Sequence, residues 1–378
     1  MIRYGVLAVV IAMTSVLATP AAATQDFPRQ MDRALERAAA KFGDAGVQAV
    51  AIRDGRVIWS GTRGAAIVEP RRPVTDRTMF SYASLSKLLL ATYALRQVET
   101  GALDLDRPIA AYVGDDVAGS RVVTARMLLT HTSGYPDLYA DPATAPLFPP
   151  GDQYDPNRPY TFEMLTPGIK DPVEPGKTFD YSNTGYIVLG HVLTELAGGD
   201  EAFARAYQAF VRRADHRLTE DQVTSERSRR AYERFAHGYS PREDGTLEDF
   251  FTAYGAKGIP TDLYGQPFAD GLFAGTALGA GLALDAVFTR GRMLRPETVR
   301  QMIAPSPQAP DGYGMGTHPT TAGGRTWQGH SGAYIGFNSM AGTDLGRGVT
   351  LVVLVNQLSE EAPADVIWRA LAEVSGQS

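Results

Sequence analysis

At 378 residues, with 44% hydrophobic and 21% charged side chains, the chain is long enough for one large core or two intimate ones, and disordered and fibrous classes are excluded. The formal charge of −6 leaves no basic excess, and no Lys/Arg cluster is interleaved with aromatics, so nucleic-acid binding has little support and a small uncharged or mixed-charge substrate fits better. Cysteine is absent, which removes disulfides, thiolate metal sites, a cysteine nucleophile and a lipid-modified N-terminal cysteine together.

Residues 1–23 read as a cleavable signal peptide: Arg3, an apolar run over 6–18 broken by small polar residues, then Ala21-Ala22-Ala23 as the small-residue cleavage site. The run is shorter than the ~20 residues a membrane span needs. No later segment is apolar enough to cross, so a secreted or periplasmic protein with no stable span after cleavage is expected. Positions 31–42 place apolar and Ala residues at helical spacing, and Gly43 stops them. Segments 47–52 and 57–60 flank Asp54-Gly55, a two-residue hairpin signal, so an antiparallel sheet begins here.

From Ser84 the residues Leu85, Leu88, Leu89, Tyr93 and Leu95 keep to one broad helical face until Gly101. Ser84 then sits at or just inside a helix start, with Lys87 one turn on and on the same face. A short helix is expected over 124–130, ending in His131-Thr132-Ser133-Gly134. Residues 141–176, rich in Pro, Gly and Asp, form a long loop expected to wall a cleft. A helix follows over 186–197, and 200–230 is expected to continue helical as a charged outer layer. Strands are expected over 330–338 and 349–356 with a turn at 344–348, and an amphipathic helix over 362–374 closes the chain. Sheet segments at both ends with helices between them divide the mature chain into 24–83, a mainly helical 84–265, and 266–378.

A serine hydroxyl is a poor nucleophile at neutral pH, so a neighbour must take its proton as it attacks a carbonyl. Lys87 is placed to do so, and can act only while neutral, which calls for burial or a cationic neighbour. In Tyr181-Ser182-Asn183 the outer residues lie two apart, so in an extended loop a phenol and a carboxamide share one side. Tyr181 would shuttle protons to the leaving group, and Asn183 would hydrogen-bond a substrate amide. His330-Ser331-Gly332 opens a predicted strand, and Gly332 marks a place where another backbone comes close. A substrate chain along that edge would meet His330 and Ser331 through its carboxylate or carbonyl. The N–H groups of Ser84 and Ala333 would form the oxyanion hole.

Taken in order, Ser84-Leu85-Ser86-Lys87, Tyr181-Ser182-Asn183 and His330-Ser331-Gly332 resemble the Ser-x-x-Lys, Tyr-x-Asn and Lys/His-Ser/Thr-Gly triplet of the serine penicillin-recognising family. The similarity is to the branch holding class C β-lactamases, DD-carboxypeptidases, D-aminopeptidases and related esterases. It extends through Met127 to Gly134, Pro175-Gly176, Gly281 to Asp285, Tyr313-Gly314-Met315-Gly316 and Gly329 to Phe337. The resemblance implies an α+β fold of the β-lactamase/transpeptidase type: an antiparallel sheet flanked by helices, a mainly helical region, and the active site at their junction. It also implies an acyl-enzyme on Ser84 released by water, with Lys87 and Tyr181 as a coupled acid/base pair whose order stays open.

Histidine at 330, where most β-lactamases of this branch carry lysine, is similar to the carboxypeptidase side, and Tyr-Ser-Asn points the same way. An imidazole of ordinary pKa near ~6.5 would hold a substrate carboxylate more weakly above neutral pH. The expected activity is that of a D-alanyl-D-alanine carboxypeptidase-type peptidase acting on a peptidoglycan stem peptide. A class C-type β-lactamase and an esterase or D-amino-acid amidase are alternatives on β-lactam, ester or amide substrates, and a non-catalytic binder is a further one. No cofactor and no metal site is expected, since no histidine pair has ligand spacing with a carboxylate. Two decoys are set aside: His131 with Ser133, read as a structural turn, and Gly329 to Ala333, a near match to the Gly-x-Ser-x-Gly elbow that precedes a strand.

Overall fold

The computed structural model describes residues 21–224, 229–261, 263, 271 and 273–377. The first twenty positions of the expected signal peptide lie outside them. Among the described residues six helices have twelve residues or more: α1 (Ala21–Ala39), α2 (Ser86–Thr100), α3 (Asn183–Ala197), α4 (Asp200–Arg213), α5 (Ala277–Phe288) and α6 (Pro363–Gln377). Six strands, β1 (Val47–Arg53), β2 (Arg56–Arg63), β3 (His318–Ala322), β4 (Arg325–Tyr334), β5 (Phe337–Asp344) and β6 (Val349–Val355), form an antiparallel sheet in the order β3-β4-β5-β6-β1-β2.

The two ends of the chain meet at the centre of this sheet, where Val47 pairs with Val355 and Arg53 with Val349. Asp54 and Gly55, with φ of 50° and 74°, make the predicted hairpin between β1 and β2. Side chains alternate across each strand, so Val47, Ala49, Ala51, Leu351 and Val353 face one side, and Val50, Ile52, Val352 and Leu354 the other. Both sides are buried, which is why these strands read as continuous apolar runs. On the first side α1 and α6 cover the sheet. There Trp368 meets Trp327 edge-on at 5.3 Å and donates its Nε1 hydrogen to the Leu351 carbonyl at 3.0 Å. On the second side α5 packs against β1, β5 and β6. Beyond it, α2, α3 and α4 build the helical block on the same continuous core. The α+β expectation is met.

Three local expectations are corrected. The first helix starts at Ala21 rather than 31, and a 3-10 turn at Ala40–Phe42 carries it to Gly43. The helix expected over 200–230 ends at Arg213. Asp215 stops it by accepting the Arg217 N–H two residues on, a turn that competes with helical bonding. Farther along, Val223–Thr224 pairs as a strand with Ala274–Gly275. Strand β4 begins five residues before His330, at Arg325, and pairs with β3, whose sequence His-Pro-Thr-Thr-Ala has no apolar alternation.

Asp215 also locks the helical block to the sheet. Its buried carboxylate pairs with Arg217 at 2.8 Å and with Arg290 at 2.7 Å, while Arg290 reaches Asp285 on α5 and Arg217 donates to the Gly55 carbonyl in the hairpin. The Arg217 hydrogen bond first, then Arg290, holds the Asp215 carboxyl far below the usual carboxylate range. Because the folded pKa is the depressed one, this stabilisation is complete above the unfolded value near ~3.9 and is lost as pH falls below it. Two outcomes are expected from denaturant unfolding. Arg290→Met, which strands a buried carboxylate, costs about 3–5 kcal/mol. Asp215→Asn flattens the dependence of stability on pH between about 5 and 3 relative to the parent.

Candidate active site

Ser84 lies in a 3-10 turn, Ala83–Leu85, that runs straight into α2. Ala83 has a φ of 48°, in the left-handed region that costs an L-residue about 1–2 kcal/mol. Bonds from distant segments hold the turn in that shape. The Tyr82 N–H donates to the Phe273 carbonyl at 3.0 Å, Ser339 Oγ donates to the Tyr82 carbonyl at 2.8 Å, and the Tyr82 hydroxyl donates to the Thr276 carbonyl at 2.7 Å.

Lys87 is fully buried one turn into the helix. Its Nζ donates to Ser84 Oγ at 3.0 Å and to Asn183 Oδ1 at 2.8 Å. It also lies 5.2 Å from the ring centroid of Tyr181 and 5.7 Å from that of Tyr186, where the ammonium meets the negative ring faces. Asn183, the first residue of α3, is oriented by Asp137, whose Oδ2 accepts from Asn183 Nδ2 at 2.8 Å and from its backbone N–H at 3.1 Å. The amide oxygen is thereby turned to Lys87. The carboxamide expected to grip a substrate amide instead grips the lysine. Asp137 was not singled out by sequence: it comes 46 residues before Asn183, and only the fold brings the two together.

Tyr181 is 38% exposed and its ring stacks on buried His131 at 4.2 Å. The turn holding His131 and Ser133 is structural, as expected, yet the His131 ring forms the floor beneath Tyr181. The ring also accepts at Nδ1 from the Ser182 N–H at 3.2 Å and meets the Tyr313 hydroxyl through Nε2 at 3.2 Å. Burial first, then the Lys87 ammonium and His330, pushes the His131 pKa well below its ordinary value.

His330 departs from its expected place. It is 4% exposed, with Nε2 at 3.0 Å from the Tyr313 hydroxyl and Nδ1 at 2.5 Å from the Ser331 carbonyl. Burial pushes its pKa down to about 3, and Lys87 adds to the shift, so it is neutral well below the ordinary pKa near ~6.5 that the sequence reading gave it. Ser331 and Ala333, its neighbours of opposite parity, are exposed. The near elbow motif around Ser331 lies inside β4, where Ser331 sits opposite Met340.

Gly332 does mark a close backbone approach, but the partner is the nucleophile turn. A Cβ at 332 would lie 2.3 Å from the Tyr82 carbonyl oxygen, 2.5 Å from Ser339 Oγ and 2.9 Å from the Ser84 nitrogen. Ile335 and Gly336, both at positive φ, close β4 onto β5 through the Tyr334–Phe337 pair. Ladder alternation from that pair turns the Ala333 N–H away from β5. Pairing of β4 with β3 stops at Gly329–His318, so this edge is uncovered from His330 onward. Two N–H groups, of Ser84 and Ala333, thus come from backbones in contact, as the stabilisation of one oxyanion requires.

Replacing Gly332 by Ala tests that contact. The methyl group has to displace the nucleophile turn, so the expected result is a loss of about 1–3 kcal/mol in stability and slower acylation of Ser84 by a small active ester. Unchanged acylation at unchanged stability would show that the two backbones are not pressed together.

The family model described as Beta-lactamase matches residues 31–375. The serine beta-lactamase-like protein LACTB, mitochondrial, of Bos taurus is 36% identical over 119 residues, 29% of this chain and 21% of that protein. Esterase EstB of Burkholderia gladioli is 33% identical over 110 residues, 28% of each. The matched stretch spans about a fifth to a third of the length of these curated relatives. Among solved structures, a D-stereospecific amidohydrolase from Streptomyces sp. superposes with a TM-score of 0.70 at 26% identity over 87% of this chain and 94% of that one. A match running from α1 to α6, on a fold that bonds the buried Lys87 to Ser84 beside β4, places this chain in the Beta-lactamase family.

Proposed function

We propose that this chain is an exported serine hydrolase that opens neutral acyl substrates, D-amino-acid amides and small esters, through an acyl-enzyme on Ser84. The observation that carries the substrate charge is His330: buried, hydrogen-bonded on both nitrogens, and neutral, it offers no cation to a free carboxylate. The amidohydrolase and esterase named above support the same reading. Ser84 Oγ attacks the carbonyl carbon as its proton passes to the Lys87–Tyr181 pair, which accepts it in the form that lacks one proton, and the N–H groups of Ser84 and Ala333 receive the developing oxyanion. The same pair returns a proton to the leaving amine or alcohol and then activates the water that frees Ser84. Asn183 and Asp137 keep Lys87 aimed at the hydroxyl.

One observation favours the carboxypeptidase reading as a second. The edge of β4 from His330 to Tyr334 lies past the end of β3 and suits an extended peptide that adds its own strand.

Initial rates separate the two. With D-phenylalanine amide, p-nitrophenyl butyrate, benzylpenicillin and an N-acylated D-alanyl-D-alanine peptide, kcat/KM for the amide or the ester is expected to exceed that for the peptide. The reverse order establishes the carboxypeptidase, and penicillin turnover above the rest a β-lactamase. Ser84→Ala is expected to lower every rate by about 10³-fold or more with the fold intact, and activity surviving that change would remove Ser84 as nucleophile. Export predicts that the protein recovered outside the cytoplasm begins at Thr24, which its intact mass reads directly.

A further inference from the structure

Three buried side chains join the Tyr181–Asn183 loop to β4, and the groups at the two ends determine where every proton sits. The Ser182 backbone N–H can only donate, so His131 Nδ1 accepts and its hydrogen is on Nε2. The Ser331 carbonyl can only accept, so His330 carries its hydrogen on Nδ1 and offers Nε2 as an acceptor. Between them the Tyr313 hydroxyl, 3.2 Å from one Nε2 and 3.0 Å from the other, has one hydrogen to give. It accepts from His131 and donates to His330. The run Ser182→His131→Tyr313→His330→Ser331 has one direction and uses each of these hydrogens once.

We propose that His131, Tyr313 and His330 are positioning residues, a neutral one-directional hydrogen-bond chain that sets Tyr181 and Asn183 against the Ser331–Ala333 edge of β4. The proposal rests on the Ser84 hydrolase reading for its consequence but not for its existence. A proton added to His131 would put N–H against the Ser182 N–H, and one added to His330 would take away the acceptor that Tyr313 needs. The surroundings oppose both: Lys87 from α2 faces both rings, Tyr181 and Tyr186 flank His131, and His318 lies on the far side of His330. Asp311 approaches Tyr313 and holds no hydrogen of the chain, and the Tyr186 hydroxyl, which also reaches the Tyr313 hydroxyl, gives its own hydrogen to the Leu129 carbonyl at 3.0 Å, so His330 Nε2 is the acceptor that has no other donor. The chain also gives a reason for histidine at 330, because an ammonium in its place has no lone pair for the Tyr313 hydrogen.

Nitrogen-15 spectra of the full mature protein test the chain without reference to activity, with signals assigned through single His→Gln variants. At pH 7 the expected spectrum has His131 hydrogenated on Nε2 and His330 on Nδ1, both neutral and remaining so at pH 5. The opposite tautomer on either ring, or an imidazolium on either at pH 7, overturns it. For the positioning role, His330→Lys is expected to lower kcat for the best substrate about 10–100-fold with a smaller change in KM. His330→Gln, which can present an oxygen to Tyr313, is expected to lose at least tenfold less. Equal losses in the two variants overturn the role. If the parent enzyme turns over no acyl substrate, the hydrolase reading fails and the tautomers alone decide the chain.

Discussion

Strand β4 and the nucleophile turn touch backbone to backbone, and they can do so only because position 332 has no side chain. A single methyl group there would sit inside contact distance of the Tyr82 carbonyl, the Ser339 hydroxyl and the Ser84 nitrogen at once. The contact brings the backbone at Gly332 against the Ser84 nitrogen, the geometry on which the proposed oxyanion site rests. It also fixes the junction between sheet and helical block, since the turn belongs to the start of α2 and the strand to the sheet. The left-handed conformation of Ala83 is the local strain of that arrangement. It persists because bonds from Phe273, Ser339 and Thr276 over-determine the turn.

Around that contact the polar groups are buried in pairs. Lys87 has no exposed surface, and burying an ammonium is tolerable only where hydrogen bonds and aromatic faces replace water. Ser84 and Asn183, the latter held by Asp137, supply the bonds, and Tyr181 and Tyr186 the faces. The two histidines nearest Lys87 are held neutral, partly by burial and partly by Lys87 itself. The direction of the Lys87 amine is set by Asp137 acting through Asn183 at the start of α3.

The meeting of Ser84 with Lys87 and the place of Tyr181 were legible because they follow from residue type and short spacing: a hydroxyl one helical turn before an amine, and a phenol on a loop before a helix. The hairpin at Asp54-Gly55 and the doubly buried β6 were legible for the same reason, since turn chemistry and apolar runs act over a few residues. The register of the sheet was not. β3 has no apolar alternation of its own, and pairing with β4 is what makes it a strand. The end of α4 at Arg213 follows from Asp215 meeting Arg217 nearby and Arg290 75 residues away, and charge density alone reads as a continuing surface helix.

Residue types and short spacings were enough for the α+β class, for the family and for the pairing of Ser84 with Lys87, since each depends on neighbours within a turn or a loop. The contacts of His131, Asp137, Asn183, Tyr313 and His330 are made across the fold. A histidine's charge depends on whether water or protein surrounds it, and an amide's orientation on which donor faces it. Both are set here by segments 46 to 182 residues apart, brought together only when β4 closes on the nucleophile turn.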